Sequence, residues 1–217
     1  MSILLVASLL QPPAAPKKDP NEFAKWEPAI VAIEKRLAAH PPAAGGVLFV
    51  GSSSIVKWDL KASFPEWGYM NVGFGGSVVR DSTHFANRII TPHKPGTIVF
   101  YAGDNDIASG RTAEQVATDF SSFCGAIHKD VPKCRILFVA VKPSVARWKQ
   151  FDIQKRANDL VKAYCGTDDR LTFVDIVPLM LDASGTPDAG LFVKDGLHLS
   201  PLGYAKWNAA VKAALDK

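Results

Sequence analysis

Four short apolar runs constrain this chain more than any other feature: VLFV at 47–50, TIVFY at 97–101, ILFVAV at 136–141 and LTFVDI at 171–176. Each is near-continuous rather than alternating, rich in β-branched and aromatic residues, and too short for a helix of ordinary length. A strand with one wet face alternates apolar with polar residues, whereas a strand covered on both faces does not. The runs therefore read as strands of a parallel sheet, buried on both sides, and YMNV at 69–72 is a shorter fifth candidate. Helical patterns lie between them: Val116, Phe120, Phe123 and Ile127, then Ile153, Leu160 and Val161, then the closing segment SPLGYAKWNAAVKAALDK. Ahead of the first run, Phe23, Trp26, Ile30, Ile33 and Leu37 recur at steps of three and four, with Asp19 as a candidate N-cap and Pro20 at the first helical position. Strand alternating with helix along the whole chain predicts a single three-layer α/β/α domain around a parallel sheet of about five strands.

Composition agrees with one domain. The chain has 217 residues, 47% of them apolar and 21% charged, which suffices for a full core. A net charge of +4 with no block of like charges argues against a nucleic-acid partner. The run Ile3 to Leu10 is far too short to span a bilayer, so no stable membrane insertion of the domain is expected. With Ala14 and Ala15 behind it, residues 1–18 read as a signal remnant or a disordered tail, and the expected location is secreted or periplasmic in the first case and cytoplasmic in the second. The domain proper is expected over 19–217, with an N-terminal helix at 19–40. Three cysteines, Cys124, Cys134 and Cys165, leave at least one unpaired, and none has metal-site spacing.

In open parallel sheets, ligands sit beyond the carboxyl ends of the strands. The segments leaving those ends are GSSS after VLFV, GFGGS after YMNV, AGDND after TIVFY and KPSVARW after ILFVAV. Each alone reads as a turn or a cap: Ser is a preferred N-cap, and Gly, Asn and Asp dominate turns. The set reads differently once DGLHLSPLGY is added after the last strand. There Asp195 and His198 stand three residues apart, just before a helix that Ser200 and Pro201 can start. That spacing on a loop lets the carboxylate reach back to the imidazole Nδ1, so that Nε2 can act as a base toward a serine on the same rim.

These blocks resemble the SGNH or GDSL-type hydrolases, and within them the platelet-activating-factor acetylhydrolase-like branch. Gly51, Ser52 and Ser53 match the first block of that family, Asn71, Gly73, Gly75 and Gly76 the second, Gly103, Asn105 and Asp106 the third, and Asp195 and His198 the last. The resemblance runs from about Gly46 to the C-terminus, so the catalytic blocks are expected over 46–217. It implies a flavodoxin-like SGNH fold, Ser53 as nucleophile, Asp195 and His198 completing a triad, and an oxyanion hole from the backbone N–H groups of Ser53 and Gly76 with the Asn105 side chain. It also implies ester hydrolysis of a small-molecule substrate with no metal and no organic cofactor; no segment resembles the long lid of a true lipase, so short acyl chains are expected, including acetyl esters of carbohydrates or lipids. Ser52 departs from the pattern by replacing an acidic residue, which bears on loop rigidity, and Ser54 is the neighbouring hydroxyl to be told apart from Ser53.

Acyl transfer through serine needs a base, an orienting carboxylate and donors aimed at the developing oxyanion, and the blocks supply each. Arg147 and Trp148 are candidates for contact with a polar or anionic leaving group, with surface stacking as the rival. Phe74 and Phe192 are candidates for the acyl side, with core packing as an equal rival. A thioesterase or lysophospholipase would use the same triad. A non-catalytic carbohydrate-binding module on the same fold is the alternative from another class.

Overall fold

The computed structural model describes residues 22–65 and 68–217. Its centre is a five-stranded, all-parallel sheet made of β1 (Val47–Gly51), β2 (Met70–Asn71), β3 (Thr97–Tyr101), β4 (Arg135–Val139) and β5 (Leu171–Val174), in the order β2-β1-β3-β4-β5. Register is simple in the middle: Val47 to Gly51 of β1 lie opposite Thr97 to Tyr101 of β3, and Thr97 to Phe100 lie opposite Arg135 to Phe138. Along each central strand successive side chains enter opposite cores. Leu48, Val50, Ile98, Phe100, Ile136 and Phe138 point to one face, and Phe49, Val99, Tyr101, Leu137 and Val139 to the other. Both faces are apolar because both are covered, which is why the sequence shows continuous runs.

The first face is covered by α1 (Glu27–Ala39), α7 (Ala113–Asp130) and α8 (Phe151–Cys165), and the second by the short helices α2 (Ser53–Val56) and α3 (Leu60–Ser63) with α9 (Pro201–Leu215). The short helices α4 (Val79–His84), α5 (Ala86–Ile89) and α6 (Asp104–Ala108) carry the loops of the rim. Thr112 and Gln115 form a reciprocal capping box at the start of α7, and Ser200 caps α9 with Pro201 at its first position.

Three expectations are revised. LTFVDI is not buried on both faces: β5 is a sheet edge and its Thr172 and Phe173 are only half-buried. In α8, Ile153 is exposed and the inward stripe is Gln154, Ala157, Asn158, Val161 and Cys165; the polar members conceal it from a hydrophobic count. Asn158 is held inside by bonding both ways to Val141, its Oδ1 accepting from the backbone N–H at 2.8 Å and its Nδ2 donating to the carbonyl at 2.9 Å. In YMNV the formal strand is two residues long, but Val72 N–H to Phe49 O (2.8 Å) and Phe74 N–H to Gly51 O (2.9 Å) carry the pairing onward into the glycine loop. The N-terminal tail and the candidate cap Asp19 and Pro20 lie outside the described residues. The three cysteines are buried free thiols.

The N-terminal helix is tied to the rim. Trp26 meets Phe74 edge-on at 5.4 Å, Phe23 stacks on His84 at 3.8 Å, and Arg88 bonds both Glu27 and Glu34.

Candidate functional site

The rim forms where β1 ends. Gly51 has φ +136°, and a Cβ there would stand 1.9 Å from the Tyr101 carbonyl oxygen, so only glycine lets β1 leave the sheet this close to β3. Ser52 is buried, its N–H bonded to that same carbonyl at 3.0 Å, and α2 starts at once with Ser53. As the first residue of α2, Ser53 has a backbone N–H for which no intrahelical acceptor exists. The departure at Ser52 thus leaves the loop anchored through its backbone.

The two candidate serines have separate surroundings. Ser53 Oγ lies 2.9 Å from His198 Nε2, and His198 Nδ1 lies 2.6 Å from Asp195 Oδ2. Ser54 is 1% exposed, and its Oγ faces the buried Lys142 ammonium at 3.5 Å. Asp195 also accepts from the backbone N–H groups of Leu197 (2.8 Å) and His198 (2.9 Å), so one carboxylate shapes the loop and orients the ring. The His198 ring bond, then these two backbone bonds, hold the Asp195 carboxyl well below the usual carboxylate range, and it stays ionised beside the imidazole. Since a carboxylate only accepts, Nδ1 carries the proton and Nε2 is left free to accept one from Ser53.

The glycine loop is placed by two anchors. Asn71 donates from Nδ2 to Ile55 O in α2 at 2.5 Å and accepts from Gly73 N–H at 3.0 Å, which fastens the loop to the helix carrying Ser53. A Cβ on Gly75 would stand 4.0 Å from the Ser53 Cβ, so the loop abuts the candidate nucleophile. Gly76 follows with φ +81°, a conformation that costs an L-residue roughly 1–2 kcal/mol, and it faces the Trp26 ring. In α6, Asp106 accepts at 3.1 Å from the N–H of Val79, the first residue of α4, and so joins the third block to the helix that follows the glycine loop. Burial pushes its carboxyl up to about 6.

Asn105, at the start of α6, donates from Nδ2 to Ser77 O at 3.0 Å and accepts at Oδ1 from Arg147 Nη2 at 3.0 Å. The Ser77 carbonyl can only accept and the guanidinium can only donate, so the orientation of the amide is unambiguous, and its second N–H is left for another acceptor.

Beneath these residues lies a charge cluster that the sequence pattern does not reveal. Lys142, 1% exposed, donates to Asp104 Oδ2 at 2.8 Å and to the Tyr101 hydroxyl at 3.0 Å. Arg147 Nη1 lies 2.6 Å from the other oxygen of Asp104. Burial alone would push the Lys142 ammonium down, but Asp104 and Tyr101 override it and hold the group above its ordinary range. Burial would raise the Asp104 carboxyl, and the two cations override that and lower it. The only signal for this cluster is a Lys directly after a buried strand with an acid in the neighbouring rim loop.

The remaining candidates are redistributed. Phe74, 2% exposed, packs on Trp26 and Phe85, and Phe192 is likewise in the core, so neither lines an open acyl pocket. Trp148 is half-buried and stacked on Phe151 at 4.5 Å. Arg147 is committed inward rather than free at the surface, and Ala146 N–H to Gly196 O (3.0 Å) ties its loop to the one carrying Asp195 and His198. Among the described residues, no group of three or more His, Cys, Asp or Glu is placed to hold a metal. No helix among them is long and apolar enough to cross a membrane.

Solved structures share this fold at low sequence identity. A GDSL-like lipase from Bacteroides thetaiotaomicron is 19% identical, with 90% of this chain and 98% of that one covered and a TM-score of 0.71. A protein from Streptococcus pneumoniae, provisionally assigned as a platelet activating factor, is 19% identical over 90% and 95% of the two chains at 0.77. A Geobacillus acetyl-xylooligosaccharide esterase is 17% identical over 79% and 94% at 0.62. No curated protein sequence matches the chain. Residues 46–206, however, match the model of the GDSL-like lipase/acylhydrolase family, which spans all four blocks of the rim, and the chain therefore belongs to that family of carboxylic ester hydrolases.

Proposed function

We propose that the protein hydrolyses esters of short acyl chains, acetyl esters first among them, by acyl transfer through Ser53. The observation that carries the reading is the continuous hydrogen-bonded line from Ser53 Oγ through His198 to Asp195, with links of 2.9 and 2.6 Å. In the first step Ser53 Oγ adds to the ester carbonyl carbon while His198 Nε2 takes its proton, and the imidazolium is stabilised by Asp195. The carbonyl oxygen becomes an oxyanion, received by the N–H groups of Ser53 and Gly76 and the free N–H of Asn105. Collapse expels the alcohol, protonated by His198, and leaves an acyl-serine. Water then adds to the acyl carbon with His198 as base, and the carboxylic acid departs as Ser53 regains its proton. Burial of Phe74 and Phe192 supports a short acyl group, because neither is available to wall a long channel.

The test is turnover of p-nitrophenyl esters from acetate to octanoate by the wild type, Ser53→Ala and Ser54→Ala. Loss confined to Ser53→Ala, in a folded protein with an optimum at acetate or butyrate, supports the proposal. Full activity in Ser53→Ala would refute the nucleophile, and an optimum at octanoate would refute the short-chain reading.

A further inference from the structure

The buried charges end on the one side-chain donor of the candidate oxyanion hole. Lys142 holds one oxygen of Asp104, Asp104 holds Arg147 Nη1 with the other, and Arg147 Nη2 donates to Asn105 Oδ1. A guanidinium is a rigid planar fork whose two terminal nitrogens can hold two acceptors at fixed spacing. Here one prong stands in ion-pair contact, at 2.6 Å, with a carboxylate that is itself buried and paired with Lys142. The other grips the amide oxygen, which turns the Asn105 NH₂ toward Ser77 O and leaves its second N–H free. A cation on the amide oxygen also polarises the group and strengthens that N–H as a donor. Two cations face a single carboxylate, so the cluster carries a net positive charge directly behind the place where the oxyanion would form.

We infer that Arg147 is a positioning residue of this site: it acts through Asn105, fixing and polarising the oxyanion donor, and is itself set by Asp104 and Lys142. This rests on the esterase reading above, and it differs from a role in gripping a polar leaving group because Arg147 has only 19% of its side chain exposed and spends its fork on Asp104 and Asn105.

The experiment is a double-mutant cycle on p-nitrophenyl acetate using Arg147→Met, Asn105→Ala and the pair, with kcat and KM separated. Asn105→Ala is expected to lower kcat by about 10²–10³-fold. Arg147→Met is expected to lower kcat by about 10-fold or more with KM little changed, and to add less than about twofold in the Asn105→Ala background. Arg147→Lys should recover little, because a point charge cannot span both acceptors. Multiplicative losses, a change in KM alone, or full recovery by lysine would overturn the inference. If Arg147→Met does not fold, the cycle is run with Arg147→Lys. A readout independent of turnover is the Asn105 side-chain amide pair in ¹H–¹⁵N spectra: displacement on Arg147→Lys supports the inference, and unchanged resonances overturn it. A wild type inert on every ester would sink the esterase reading and the oxyanion role with it, even with the amide displaced, whereas an active wild type with multiplicative losses would overturn the positioning of Asn105 alone.

Discussion

Replacing Lys142 by methionine tests whether the charge cluster under the rim holds the structure as its geometry demands. The substitution keeps most of the apolar stem and deletes the ammonium that bonds Asp104 at 2.8 Å and Tyr101 at 3.0 Å. Breaking a buried ion pair by removing one partner costs about 3–5 kcal/mol, because the survivor is left charged and dry. Asp104 is not wholly abandoned, since Arg147 lies 2.6 Å from its other oxygen and the Tyr101 hydroxyl is 3.3 Å from Oδ2. The loss should therefore fall at the low end, about 3 kcal/mol, which for a chain of this size lowers Tm by about 6–12 °C. Thermal and urea unfolding followed by circular dichroism measures it. Adding Asp104→Asn should restore at least half of the loss, because the orphan carboxylate is gone while the partly exposed Arg147 can turn to water. A Tm shift below about 2 °C for Lys142→Met, or a second substitution that merely adds its own loss, would refute the argument that these charges stabilise one another.

Other outcomes follow from single contacts. Asp195→Asn removes the carboxylate that fixes the His198 tautomer and should lower kcat about 10⁴-fold with the fold intact, read from ester turnover and circular dichroism. Gly76→Ala forces a Cβ to within 3.3 Å of the Trp26 ring at φ +81°, so it should cost roughly 1–2 kcal/mol in urea unfolding and depress kcat more than KM. The Asp106 carboxyl is raised to about 6, so its share of stability is full below the unfolded value near 4 and is lost as pH rises through 6. Relative to wild type, Asp106→Asn should gain on the order of 3 kcal/mol between pH 4 and 7 in urea midpoints, and parallel pH curves would disprove the assignment.

What the sequence discloses and what it hides divide along a physical line. The runs at β1, β3 and β4 are legible because a strand buried on both faces leaves no polar register; Ser53, Gly76 and Asn105 draw notice because each follows within five residues of a strand end, whereas Asp195 and His198, more than twenty residues past β5, draw it only by their spacing ahead of α9. The structure brings Ser53, His198 and Asp195 into hydrogen-bonding line and places Gly76 on the loop fastened to the same helix. Burial of side chains is harder to see. Phe74 resembles a pocket wall in sequence but packs under Trp26, a residue contributed by a helix outside the family blocks. In α8, Gln154 and Asn158 face inward where periodicity seeks apolar residues, and Ile153 faces out. Lys142 and Arg147 are the sharpest case. Read singly, each is a surface cation, and only the parallel pairing of β3 with β4 sets the segment after Val139 beside the segment after Tyr101, so that both cations converge on Asp104. Asn105 is thus read from one block of the chain, while the guanidinium bonded to its amide oxygen comes from another, about forty residues away. That separation is why a motif can single out the amide without showing which side chain is bonded to it.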